Sequence, residues 1–491
     1  MKVTLHRKEG PLKTECNKDR CRFQPLEGRD VVADFDGGKI SSDGGGLLLR
    51  QVEERFGLIG EFADCFTDHR DAARVEHTVE ELLGQRIYGL CLGQEDLSDH
   101  DRLRSDPVLA TMVGKEDPTG QDRARARDRG KPLAGKSTLN RLELSSQGDG
   151  GPDSRYKKIT ADWKALSTFF TRSFVRCVPE PEGPIILDLD SSDDPLHGDQ
   201  LGKFFHGYYR HYCYLPLFIF SGGHVLAARL RPSDIGDTRG AVDELELIVP
   251  LIRRRWPERQ IIARGDSGFS TDELMSWCDQ NRVDYLFGMA RNSRLEEALA
   301  PEMNEARAGY EETALPTRFF GDFTYRTRTS WSRRRRMVGK AEYLQKGPNP
   351  RFVVTSIPPE QMGAQELYEE LYCARGEMEN RIKEHQTQLF STRTSTHWME
   401  SNQLRLWFSS VAYTLMHLLR TYGLEDTELE SAEPETIRRR LLKIGALLSV
   451  TVRRVWISLS SSFPLREVFR QAHRKLERAQ PAFDPPLPVP T

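Results

Sequence analysis

The sequence predicts an α/β protein, with a mixed sheet flanked by helices, a β-rich insertion, and helical regions on either side. Three observations predict it. From about residue 41 to 177 the apolar residues recur at helical spacing. From residue 182 the pattern changes to short apolar runs bounded by turn residues. Beyond residue 357 the helical spacing returns.

Residues 1–40 are polar and irregular, an arm or lead-in. In the first helical region Thr78 and Glu81 match a capping box, and Val79, Leu82, Leu83, Ile87 and Leu90 then follow one helical face. "TGQDRARARDRGKPLAGKS" (119–137) reads as a long basic loop. "EGPIILDLDSS" (182–192), "YCYLPLFIFSG" and "HVLAARLRPS" read as three strands, with "SGG" (221–223) as a hairpin turn. "GAVDELELIVPLIRRRW" (240–256) is an amphipathic helix, "RQIIARGDSG" (259–268) a strand, "STDELMSWCDQN" (270–281) a helix opened by a Ser270/Glu273 capping box, and "DYLFGMA" (284–290) a strand. Three strands followed by helix, strand, helix and strand make a mixed sheet with helical cover. Residues 315–349 read as a basic β-rich excursion, after which "RFVVTSI" resumes a buried strand. A helix around "YCARGEMENRIKE" (372–384), a helical stretch over 402–478 and a proline-rich, disordered end complete the chain.

Composition narrows the function classes. A chain of 491 residues exceeds one ordinary core, so about two to four domains are expected. Hydrophobic residues at 38% beside 29% charged ones predict a soluble protein. "LRLWFSSVAYTLMHLLR" (404–420), interrupted by Arg405 and His417, reads as a buried helix rather than a membrane span. Eight cysteines without a CxxC pair point to reduced thiols and a cytoplasmic protein. The net charge of −2 exerts no global pull on nucleic acid. Separate basic clusters at 123–131, 253–256, 333–336, 438–440 and Arg453–Arg454 nevertheless point to a polyanion partner.

The acidic residues carry the chemistry. On a helical wheel Leu367, Leu371, Ala374, Met378 and Ile382 form one apolar stripe, with Tyr372, Arg375 and Glu379 along its edge. Glu377 and Glu384 fall on the opposite, solvent side. Asp188 and Asp190 lie near the end of one apolar strand and Asp266 ends another. A carboxylate at the end of a buried strand is costly unless it is paired or binds a cation. Three such groups suit Mg²⁺ or Mn²⁺, which prefer oxygen ligands and support phosphodiester displacement. The alternative is that each aspartate caps a neighbouring turn or helix.

With these segments in view, the chain resembles bacterial insertion-sequence transposases with a DDE catalytic domain. The resemblance rests on "ILDLDSSDDPLHGDQ…FFHGYYRHYCYLPLFIF", "RLRPSDIG", "IIARGDSGF", "DYLFGMARN" and "YCARGEMENRIKE", with "IYGLCLGQEDLSDHDRLRSDP", "GKSTLNRLE" and "RRRLLKIGA" outside the core. It covers roughly residues 30–475 and implies an RNase H-like catalytic fold and cut-and-paste movement of DNA between terminal inverted repeats. It also implies a bacterial cytoplasmic, nucleoid-associated protein, double-stranded DNA at transposon ends and target as partner, and at least a homodimer on that DNA. The metal ligands it implies are Asp190, which is followed by the small hydroxyl residue Ser191, Asp266, and Glu379 within a Tyr-x-x-Arg-x-x-x-Glu signature formed by Tyr372, Arg375 and Glu379. Asp188, on the same strand face, remains the rival first ligand. Many such transposases carry lysine seven residues after the glutamate, where this chain has Gln386, and Lys383 is the nearby substitute. The implied organisation is an arm (1–40), a helical DNA-binding region (41–177), a catalytic domain (178–392) with its insertion (315–349), a C-terminal helical region (393–478) and a disordered tail (479–491).

Three further motifs have plainer readings. "GKPLAGKS" (130–137) satisfies a P-loop string but lacks the preceding buried strand, so Lys136 reads as a DNA-backbone contact instead. His197, His206 and His211 match no zinc spacing and read as residues near the active cleft. Trp331 beside Arg333, Arg334, Arg335 and Arg336 reads as a stacking-plus-phosphate surface, against a solvated hairpin. A glycosidase with paired carboxylates fits the basic clusters poorly, and a silent, DNA-binding descendant of a transposase is not favoured with all three acidic residues present.

Overall fold

The apolar runs between residues 182 and 290 build the sheet that carries the site. In the computed structural model, which describes residues 20–144 and 150–483, the five strands are Ile185–Ser191, Leu217–Ser221, His224–Arg229, Ile261–Gly265 and Asp284–Met289. In space they lie in the order third, second, first, fourth, fifth, within a nine-stranded mixed sheet. The first strand runs antiparallel to the second and parallel to the fourth, which is parallel to the fifth. Parallel neighbours need long crossovers, and helices Ala241–Arg255 and Asp272–Gln280 supply them. "YCYLPLFIF" is divided at Pro216, which has no N–H for a ladder, so His211–Tyr214 joins a small separate sheet. The turn after Ser221 is a hairpin as predicted, with Gly222 at φ 55°.

Several local expectations need correction. The stretch 315–349 does not stand off from the sheet. Strands Thr317–Tyr325 and Arg335–Leu344 pair with each other, and the second pairs with Arg351–Thr355, so they lengthen the main sheet at its edge. The C-terminal stretch read as wholly helical contains a hairpin, Ala446–Thr451 with Arg454–Leu459, where β-branched residues and Trp456 favour strand. Its first strand pairs with Lys39–Ser41, so the polar lead-in is partly ordered and also holds the exposed hairpin Cys21–Leu26/Arg29–Ala33. The predicted disorder of the proline-rich end falls mainly on 484–491, outside the described residues.

The helical regions behave as their patterns require. The Thr78–Glu81 capping box forms: Thr78 Oγ1 accepts from the Glu81 N–H at 3.1 Å, and the Glu81 carboxylate accepts from the Thr78 N–H at 2.9 Å. In the later helix Thr271, not Ser270, is the cap and accepts from the Leu274 N–H. The apolar run over 404–420 lies within and just beyond helix Met399–Leu418 and is mostly buried. Among the described residues no helix is long and apolar enough to cross a membrane. Leu82, Leu83, Ile87 and Leu90 share one core with Leu404, Phe408, Val411 and Leu415, so segments far apart in sequence bury each other. Each such side chain contributes about 1.5–3 kcal/mol through burial.

The two faces of the sheet differ in a way that positions the site. One face is apolar throughout: Leu187, Leu189, Leu217, Ile219, Ile261, Ala263, Tyr285 and Phe287 pack with Leu245, Ile248, Leu274 and Met275 of the crossover helices. The other face has two apolar ends. Phe218 and Phe220 join the helical core, whereas Ile262, Leu286 and Val353 meet Leu367 and Tyr368. Asp188, Asp190 and Arg264 alternate with the first face's apolar residues and so lie between these ends. The helical segment 364–388 spans the gap, with Leu367 and Tyr368 in one cluster and Met378 and Ile382 in the other. Its middle, around Arg375, is thereby laid over the polar strip.

Candidate active site

Asp190 is the penultimate residue of its strand. Its Oδ1 accepts from the Ser191 N–H at 2.9 Å, and its Oδ2 accepts from Arg375 Nη1 at 3.3 Å. The other terminal nitrogen, Arg375 Nη2, donates to Glu379 Oε1 at 2.8 Å, one helical turn on. One guanidinium therefore joins a sheet carboxylate to a helix carboxylate. Asp266 follows directly on the neighbouring parallel strand, where its Oδ1 accepts from the Gly268 N–H at 2.9 Å. The capping reading of Asp266 is thus correct as geometry and uses one of its two oxygens.

Asp190 lies within reach of the charge of Asp266. Burial is the main cause that pushes Asp190 up to about 7; Arg375 opposes the rise, while Asp266 and Glu379 add to it. Asp266 is also raised, first by burial, with Asp237 and Glu379 contributing. Three carboxylates against the single guanidinium of Arg375 leave an excess of negative charge in a partly desolvated place. That donor chemistry suits a divalent cation. Among the described residues no three His, Cys, Asp or Glu side chains converge closely enough to hold one as placed. Arg375 lies between Asp190 and Glu379 and supplies the positive charge there.

The structure separates the two rival aspartates. Asp188 is 5% exposed, and its oxygens accept from Arg264 Nε at 2.5 Å and Nη2 at 2.8 Å. The register pairs Arg264 with Asp188 across adjacent parallel strands, so both oxygens are committed to a fork. Arg264 also donates to the Leu371 carbonyl, tying the sheet to the overlying helix.

That helix is not uniform. Residues 367–372 and 384–388 adopt the wider π form and 373–375 the tighter 3₁₀ form, around an α-helical 376–383. The wheel therefore loses phase. Glu377 and Glu379 are exposed, but Glu384, expected at the solvent side, is 2% exposed and pairs with Arg381 and Arg420. Tyr372 reaches beside Gly288, where a Cβ would stand 2.6 Å from its hydroxyl. Asp266, Tyr372, Arg291 and Arg351 border a cleft of about 340 Å³.

The remaining predicted DNA contacts scatter. Trp331 is 3% exposed and packs edge-on against Tyr325, so it offers no face to a base. Arg335 is buried, with Asp272 at 3.1 Å and Asp279 at 2.6 Å. Arg336 pairs with Asp322 at 2.6 Å and Arg333 with Asp279 at 2.5 Å, leaving Arg334 exposed without an ion pair among the described residues. Lys136 is exposed at the start of helix Lys136–Glu143, 3.2 Å from Asp101. Lys383 is exposed, whereas Gln386, in the lysine's usual place, donates to Ser192 Oγ at 2.9 Å and the Asp193 carbonyl at 3.0 Å.

Two residues that sequence reasoning gave no role complete the surroundings. Arg231 is buried and donates to Ser191 Oγ, the Leu215 carbonyl and the carbonyls of Asp237 and Arg239, fixing the loop after "RLRPS" beside Asp190. Asp237 occupies the space a Cβ at Gly268 would need, which brings a fourth carboxylate toward Asp266. The only sequence signal was their place in "RLRPSDIGDTRG".

No curated protein matches the chain. Residues 23–481 match the family model for the transposase DDE domain, group 1, and the chain belongs to that family of transposases.

Proposed function

We propose that this protein cuts DNA at the terminal inverted repeats of an insertion sequence and joins the freed 3′ end to target DNA. The observation that carries the reading is the Arg375 bridge, which joins Asp190 to Glu379 beside Asp266 at the ends of two parallel strands. The strand order third, second, first, fourth, fifth supports an RNase H-like core, with the acidic residues at the carboxyl ends of the first and fourth strands. Asp190, Asp266 and Glu379 would hold Mg²⁺ or Mn²⁺. When bound, the metal ions make water a stronger nucleophile and stabilise the charge that develops on the attacking and leaving oxygens.

The chain's own residues do the rest. Arg375 orients Glu379 and balances the carboxylates before DNA arrives, and its guanidinium is matched in shape to a phosphate. Tyr372, lodged against Gly288, holds the start of that helix on the sheet. Arg291 and Arg351 line the cleft beside Asp266, where they favour a polyanionic strand. Lys136 and Arg334 lie further out as backbone contacts, and two copies on DNA would present two ends for joining.

The test is cleavage of a labelled transposon end by wild type and Asp266→Asn, with and without Mg²⁺. The amide is a poor cation ligand, so cleavage should be lost while affinity for the end changes by no more than about twofold. Wild-type cleavage by Asp266→Asn would overturn the reading.

A further inference from the structure

The segment "KFFHGYYRHYCY" (203–214) folds into a hairpin anchored by the buried Tyr214, while Phe204, Phe205, Tyr208 and Tyr212 remain exposed. Strands Phe204–His206 and His211–Tyr214 pair antiparallel, and Tyr208 at the tip is 84% exposed. On the outer face Phe205 and Tyr212 meet edge to face at 5.6 Å, with the Lys203 ammonium 5.8 Å over the Tyr212 ring. So much bare ring surface on one short hairpin is unusual for a water-facing segment.

Its placement is specific. Asp193 Oδ2 lies 2.9 Å from His211 Nε2, and Gln386 holds the Asp193 carbonyl, so the hairpin is fastened between the Asp190 strand and the Glu379 helix. Tyr209, half-buried, stands between the rings of His206 and His211 at 4.9 and 6.1 Å. Tyr208 adjoins Tyr209 at 5.1 Å. Next to them Arg210 holds a left-handed backbone at φ 61°, a costly conformation for arginine, and is exposed with no ion pair among the described residues.

We propose that this hairpin tip is a stacking platform for a base unstacked from the DNA strand that enters the carboxylate cleft. The inference rests on DNA being the substrate of that cleft. A paired duplex offers phosphates and groove edges, whereas an unstacked base offers a ring face, and Tyr208 with an adjacent cation is matched to that face. Arg210 supplies the charge for the adjoining phosphate. A second copy of the chain is the less suitable occupant, because the rings alternate with Lys203, His206, Arg210 and His211 rather than forming a continuous apolar surface.

The experiment uses the full chain in metal-free buffer, so that cleavage does not enter. Fluorescence anisotropy reads the affinity for a labelled oligothymidylate and for a fully paired duplex of the same length. Tyr208→Ala should weaken the single strand on the order of tenfold and the duplex by less than about twofold, with Tyr208→Trp restoring the affinity. Arg210→Gly relieves the backbone and should weaken both DNAs to a similar extent. Unchanged single-strand affinity in Tyr208→Ala, or equal losses on both DNAs, would overturn the platform. Loss of self-association in Tyr208→Ala with single-strand binding intact would also overturn it and assign the tip to an interface between copies. The cleavage reading is judged separately: it fails if Asp266→Asn still cuts, whatever Tyr208→Ala does to binding.

Discussion

Two charged regions look equally functional in the sequence and end up opposite in the fold. At the edge of the sheet, Arg335 and Arg336 each find aspartates, and Trp331 disappears into the core. At the centre, Asp190 and Glu379 share one guanidinium with Asp266 beside them, and the three remain short of positive charge. The difference teaches that charge density alone does not mark a site. What marks it is charge left unbalanced after the fold has made its own pairs. The same contrast recurs two residues apart on one strand, where Asp188 is saturated by Arg264 and Asp190 is not.

The largest effect should break that pair of aspartates apart. Asp190→Ala should reduce transposon-end cleavage on the order of a thousandfold or more. Asp188→Asn should leave the folded protein able to cut, and equal losses of cleavage per folded molecule would merge the two roles.

Removing a saturated partner should instead cost stability. Arg335→Ala removes the buried cation that Asp272 and Asp279 share, leaving only Arg333 on Asp279, and should destabilise the fold by about 3 kcal/mol, read by urea denaturation. DNA affinity of the folded protein should hardly change, because Arg335 is buried.

The unbalanced carboxylates also set a pH dependence. A proton on Asp190 competes with a cation for the same oxygens. Mn²⁺ affinity should therefore rise as pH rises through about 7, the value to which burial pushes that carboxyl, and level off above it. A titration flat across that range would show that Asp190 is not a ligand.

The smallest effect belongs to Arg334. Arg334→Ala should leave the melting curve within about 0.5 kcal/mol of wild type and reduce the salt slope of DNA binding by about one. An unchanged slope would mark the whole arginine run as structural.

Much of this was legible because it depends on local pattern. The strand around Asp190, the strand ending at Asp266 and the capping box at Thr78 follow from alternation, apolar runs and spacing within a few residues. What was not legible depends on register and on neighbours remote in sequence. Nothing in "IIARGDSG" announces that Arg264 faces Asp188 across two parallel strands. A single wheel could not place Glu384, because π-form turns shift the phase and Arg420 approaches from a distant helix. Trp331 looked available for DNA because its burial comes from Tyr325 and the sheet edge, neither visible from "SWSRRRR". The resemblance to DDE transposases singled out Asp190, Asp266 and Glu379, but it said nothing of which arginines the fold would consume.

The central claim is that Asp190, Asp266 and Glu379 form one cation-holding set, distinct from the acidic residues the fold has already paired. Electron paramagnetic resonance of Mn²⁺ added to purified variants tests it without any knowledge of the transposon end. Asp190→Asn, Asp266→Asn and Glu379→Gln should each release Mn²⁺ that wild type retains, whereas Asp188→Asn and Glu384→Gln should retain it once melting curves confirm that they are folded. Full retention in Glu379→Gln, or release in Glu384→Gln equal to that in Asp266→Asn, would contradict the account.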